Sequence, residues 1–127
     1  MRYLVDGNNV MGATIRGWWN DPPAAAEKLA TTVAMWCRDH GDDRVTVVFD
    51  GAPQEGVQRQ AGGNLAVDFA PRRGRNAADD RIVELVQELF IDPDLTVVTS
   101  DKGLIARLPP GVLLMGAGQY GRLVGQV

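Results

Sequence analysis

Short apolar runs and longer amphipathic stretches alternate along this chain, and most of the short runs stop on an acid or a glycine. Tyr3-Leu4-Val5 is too short for a helix and runs into Asp6-Gly7, whose glycine can turn the chain sharply. Val45-Thr46-Val47-Val48-Phe49 closes on Asp50-Gly51, and Leu95-Thr96-Val97-Val98-Thr99 closes on Ser100-Asp101. Val112-Leu113-Leu114-Met115 predicts a further buried strand. Asn64 to Ala70 alternates apolar and polar residues as a half-covered or edge strand does, with Asp68 facing solvent.

Helical spacing fills the gaps. Asp21-Pro22-Pro23 reads as an N-cap followed by proline in the first turn, and Ala26, Leu29, Ala30, Val33, Trp36 and Cys37 recur at intervals of three and four up to about Asp39. His40 is expected as a solvated cap at that helix's C-terminus. Asn76 can cap a second helix from Ala77 to about Phe90, with Ile82, Val83, Val86, Leu89 and Phe90 as its buried stripe. A short helix from Lys102 to Leu108 stops at Pro109-Pro110. Met11 to Asp21 and Ala52 to Gly63 read as loops, and the glycine-rich tail is expected to hold at most an edge strand at Leu123-Val124. Trp18-Trp19 cannot both face one core: either one plugs the sheet edge and the other lids the loop, or they form a base-stacking platform.

Strands alternating with helices and lacking hairpin signals predict an α/β protein, a three-layer α/β/α sandwich with a mostly parallel central sheet of about five strands. The 127 residues fit a single domain spanning 1–127. No apolar run approaches the ~20 residues that span a bilayer, and Asp6 and Gly7 interrupt the N-terminal run before it resembles a signal peptide, so a cytoplasmic protein is expected. One cysteine permits no internal disulfide, and Cys37 reads as a small buried hydrophobe; with a single histidine beside it, a zinc site cannot be assembled.

Charge changes the picture by its placement. The formal net charge of −3 argues against coating nucleic acid through bulk positive charge. Twelve of the sixteen acids are Asp, however, and several lie at strand ends; eleven of the thirteen bases are Arg, three of them in Arg72-Arg73-Gly74-Arg75. In a parallel sheet the carboxyl ends of the strands share one edge, which gathers Asp6, Asp50 and Asp101. Asp79 precedes Ile82, Val83 and Val86 on the buried stripe and reaches the same edge from its helix, whereas Asp80 lines up with Glu84 and Gln87 on the wet side. Two carboxylates ~5 Å apart repel by about 3 kcal/mol at an effective dielectric of ~20, so such a cluster calls for a counter-charge. Oxygen donors alone suit one or two Mg²⁺ or Mn²⁺ ions, with Asn8, Asn9, Thr99 and Ser100 able to orient waters or carboxylates. Phosphodiester hydrolysis fits that chemistry.

Asp6-Gly7-Asn8-Asn9, Phe49-Asp50-Gly51, Ala78-Asp79-Asp80 and Thr99-Ser100-Asp101-Lys102, in this order on these elements, resemble a NYN domain of the PIN-like nuclease superfamily, and most of all its stand-alone YacP-like branch. The resemblance implies a PIN-like fold and a metal-dependent ribonuclease in which Asp6, Asp50, Asp79 and Asp101 are the catalytic metal ligands, with Asn8 and Ser100 in support; Asn9, Asp80 and Thr99 are further supporting candidates, and endoribonuclease activity is the leading expectation. RNA is then the partner, with ribosome association and a monomeric or homodimeric state left open. Arg72, Arg73, Arg75 and Lys102 are the candidates for backbone phosphates, against the plainer reading of solvated surface charge. Two other classes stay open: a catalytically silent RNA-binding or scaffold module of the same fold, and a metal-dependent phosphohydrolase or receiver-like domain. Asn8, where an aspartyl phosphatase needs a second acid, disfavours the last.

Overall fold

Five strands form one all-parallel sheet: β1 (Arg2–Asp6), β2 (Arg44–Asp50), β3 (Leu65–Ala70), β4 (Leu95–Val98) and β5 (Leu113–Met115), in the order β3-β2-β1-β4-β5. The computed structural model describes residues 1–70 and 77–126; Arg72, Arg73, Arg75 and the expected cap Asn76 lie outside the described residues. β1 and its neighbours are central, so their residues are buried on both faces, as parallel sheets require. Side-chain alternation then sorts the core into two halves. Tyr3, Val5, Val45, Val47 and Phe49 pack under α1 (Gly7–Thr14), α2 (Pro22–Arg38) and α6 (Ala117–Val124). Leu4, Val48 and Val97 pack under α4 (Ala77–Leu89) and α5 (Lys102–Ile105). The three-layer sandwich expected from the sequence is therefore present.

Several local expectations give way to tertiary contacts. The segment after β1 is helical from Gly7, although Gly7, Asn8 and Asn9 are poor helix formers, because Asp6 caps α1 and the fully buried Val10 and Met11 anchor it to the core. Trp18 packs with the core at the start of a single 3₁₀ turn (Trp18–Asn20), whereas Trp19 stands edge-on to it and 65% exposed. Within the expected loop after β2, the buried Val57 pins a short helix, α3 (Glu55–Gln58). Asp68 is not simply solvated: on the edge strand β3 its carboxylate accepts two contacts of 3.0 Å from Arg81 of α4. Leu85 rather than Phe90 completes the buried stripe of α4, since that helix ends at Leu89 and leaves Phe90 45% exposed.

β5 is an edge strand and not a buried one, so Leu113 and Leu114 each remain about half exposed (46% and 49%). The glycine-rich tail forms α6 instead of a strand. Its register is set by Tyr120, wholly enclosed among α6's contacts with α1 and α2, and it ends where Gly125 turns left-handed at φ 84°. Asp21 caps α2 through the Ala24 amide as the sequence suggests, and Cys37 is buried. His40 accepts its place at the end of α2 by stacking on Trp36 and bonding the Trp36 carbonyl through Nδ1 at 2.7 Å. No helix among the described residues is long and apolar enough to cross a membrane.

Candidate active site at the carboxyl edge of the sheet

From β1 the chain moves outward through β2 and β3 on one side, then returns to lay β4 and β5 on the other. The crevice between the carboxyl ends of β1 and β4 is thus the switch point of the sheet, where open α/β folds bind ligands. Asp6 sits at its floor, 4% exposed. One carboxylate oxygen accepts the Thr99 hydroxyl at 3.0 Å from the end of β4; the other faces the Asn9 amide at 3.4 Å and caps α1. The Thr99 Oγ1 accepts in turn from the Asp101 amide at 3.1 Å, so one hydroxyl aligns both acidic segments.

The consecutive asparagines act as staples. Asn8 Oδ1 accepts the Asp50 amide at 2.9 Å, and Asn9 Oδ1 accepts the Ser100 amide at 2.7 Å. The first turn of α1 therefore fixes the ends of β2 and β4 on either side of β1. These side-chain oxygens are committed to backbone amides, a more definite task than the water-orienting role read from the sequence. Ser100 extends the scheme by accepting the Ala117 amide at 2.8 Å, which fastens the start of α6 to the same edge.

The remaining acids approach from helix starts. Asp50, exposed at the tip of β2, accepts the Ala78 amide at 2.9 Å and so caps α4. Asp101 accepts the amides of Gly103 and Leu104 at 2.8 and 3.2 Å and caps α5. Asp79, half-buried in the first turn of α4, accepts no hydrogen bond from the described residues. Lys102 is exposed at the first position of α5. Asp80 pairs with Arg107, Nη2 to Oδ1 at 2.8 Å. Arg107 was not legible as a site residue, because only its ion pair with Asp80, 27 positions away, brings it to the acids.

Electrostatics link the acids through Asp79, which feels Asp50 and Asp101 and acts in turn on Asp6. Burial drives the Asp6 carboxyl up to about 6; the Thr99 hydrogen bond opposes this, and the negative charges of Asp79 and Asp101 add to it. Asp79 is also raised, by desolvation and then by Asp101 and Asp50, with Arg107 opposing. Neighbouring acids therefore add to the effect of burial at Asp6 and Asp79, and that effect is softened: three of the four carboxylates each face the positive end of a helix. Among the described residues no three acids, histidines or cysteines form a ready-made cation cage. The donor chemistry still suits a hard, hydrated cation, because Mg²⁺ keeps several waters and needs only one or two carboxylates. Asp79 and the second oxygens of Asp50 and Asp101 are uncommitted among the described residues.

A profile of the YacP-like NYN domain matches residues 3–106, an interval that contains all four acids. The chain belongs to the YacP-like NYN family. Two crystal structures of Rae1 (YacP) from Bacillus subtilis, the protein itself and a single-substitution mutant, resemble this YacP-like domain with TM-scores of 0.73 and 0.72. Each is 27% identical over 98% of this chain and 74% of the other. The structural likeness thus extends beyond the profile match and includes α6. No curated protein matches the chain.

Proposed function

We propose that this YacP-like NYN domain is a Mg²⁺- or Mn²⁺-dependent endoribonuclease acting on cytoplasmic RNA. The observation that carries the reading is the convergence of Asp6, Asp50, Asp79 and Asp101 at the switch point, with Asp6 and Asp79 both held above the ordinary carboxylate range. Pairs of these four carboxylates, completed by water, would hold one or two hydrated cations. Such a cation, when bound, polarises a phosphoryl oxygen and lowers the pKa of water. The chain's own residues supply the geometry: Thr99 orients Asp6, Asn8 and Asn9 lock the flanking strand ends, and Ser100 ties down α6. Lys102 and the arginines at 72, 73 and 75 are the candidates for neighbouring phosphates.

Labelled RNA incubated with the protein and Mn²⁺ tests the proposal. Cleavage is expected, abolished by EDTA and reduced roughly 100-fold or more in Asp6→Asn and Asp101→Asn; undiminished cleavage in either variant would overturn it. A second reading, the catalytically silent RNA-binding module, draws support from one observation, the use of Asp6, Asp50 and Asp101 as helix caps. RNA binding without metal-dependent cleavage would favour it.

A further inference from the structure

A crevice lined by carboxylates repels a polyanion, so a nuclease of this design needs a cation that brings the substrate's phosphates to it. Two arginines near α4 differ in how much of their guanidinium is engaged among the described residues. Arg81 directs Nε and Nη2 to Asp68, which holds α4 against the edge strand β3, and Nη1 to Glu84 within α4, so all three of its nitrogens are engaged. Arg107 makes one ion pair among the described residues, Nη2 to Asp80 at 2.8 Å. Its other donors meet no partner among the described residues, and both members of the pair are about two-fifths exposed, at 41% and 42%. An exposed pair of this kind contributes little to stability, so stability does not account for its position.

That position is informative. Asp80 lies beside Asp79 in the first turn of α4, and Arg107 lies two residues past the end of α5, the helix that Asp101 caps. The pair therefore bridges the two elements that deliver Asp79 and Asp101, and its positive charge is felt at Asp79. We propose that Arg107, oriented by Asp80, forms a phosphate-binding subsite that receives the RNA backbone next to the bond cleaved at the acidic cluster. A guanidinium fork suits this task, since it can hold two phosphate oxygens while its remaining arm stays on Asp80. Asp80 is then a positioning residue rather than a metal ligand. This inference rests on the ribonuclease reading above.

The test measures binding of a short fluorescent single-stranded RNA across a salt series without divalent cation, followed by initial cleavage rates with Mn²⁺. For Arg107→Ala, affinity should fall about tenfold, as for loss of one charged hydrogen-bonding contact. The slope of log affinity against log salt should become shallower by about 0.7, one phosphate contact on a single strand. KM should rise while kcat and the thermal midpoint stay near wild type. Arg107→Lys should keep the slope and recover part of the affinity, and Asp80→Ala should raise KM to an intermediate value. Wild-type affinity and slope in Arg107→Ala would overturn the subsite. If the wild-type protein binds RNA but does not cleave it, the ribonuclease reading falls while the slope still decides the subsite; if it does not bind RNA, both fall.

Discussion

The dipeptide Asp-Gly closes two adjacent parallel strands, β1 and β2, and the two copies have opposite fates. Asp6 lies at the floor of the crevice, enclosed by Thr99 and the start of α1, while Asp50 projects from the tip of β2 and reaches over to cap α4. Their glycines differ as well. Gly7 needs no unusual backbone; a Cβ there would sit 2.7 Å from the Phe49 ring and 2.8 Å from the Val48 carbonyl oxygen, so glycine is required by close packing of α1 on β2. Gly51 has open space around it and is required by its backbone, with φ at 92°. One local signal thus encodes a buried, charged packing point in the first case and a turn in the second.

The largest predicted effect breaks the comparison at its tightest contact. Gly7→Ala should destabilise the fold by about 3 kcal/mol in urea unfolding, since the Val48 backbone cannot yield as a side chain can. A loss no larger than that of Gly51→Ala would show that the close approach is not limiting. The second prediction concerns Asp6 in metal-free buffer. Its folded carboxyl is raised to about 6 from 3.8, so between those values the native state binds more protons than the unfolded one. The contribution of Asp6 to stability is then fullest below about pH 4 and is lost, by on the order of 2–3 kcal/mol, as pH rises through about 6. Asp6→Asn should remove most of that decline and make the protein more stable than wild type at pH 7 even as activity is lost; an unchanged pH profile would remove Asp6 from the buried role described. Asp79, raised in the same direction, should account for the residual slope. The smallest effects belong to the second dipeptide. Gly51→Ala should cost about 1–2 kcal/mol through backbone strain alone, and Asp50→Ala about 1 kcal/mol through the lost cap on α4, both readable by thermal or urea unfolding. A larger loss in Asp50→Ala than in Gly7→Ala would reverse the ranking of the two sites.

The acids themselves were legible because each stands at a boundary that local chemistry marks: a β-branched run ends, and a glycine or a helix start follows. Their convergence could be anticipated from parallel-sheet topology. Less could be read where packing overrides propensity. Glycine and asparagine at 7–9 argue for a loop, yet capping by Asp6 and burial of Val10 and Met11 make a helix. The tail lacks a strong periodic stripe, and only the cavity filled by Tyr120 against α1 and α2 turns it into α6. The staple roles of Asn8 and Asn9 and the place of Arg107 beside the acids depend on partners 42, 91 and 27 positions away in the chain, respectively, so no local pattern carries them.

By itself, the sequence determined the alternation of strands and helices, the layer architecture, the four acids at the sheet edge and the family, because these follow from hydrophobic period, β-branching and short motifs in order. The tertiary structure alone decided which Asp-Gly is buried and which is a turn, which carboxylates serve as helix caps, and which arginine is brought beside the site through Asp80. The physical reason is that burial, hydrogen-bond partnership and the summed field of neighbouring charges are set by residues distant in sequence, and those quantities give identical side chains different work.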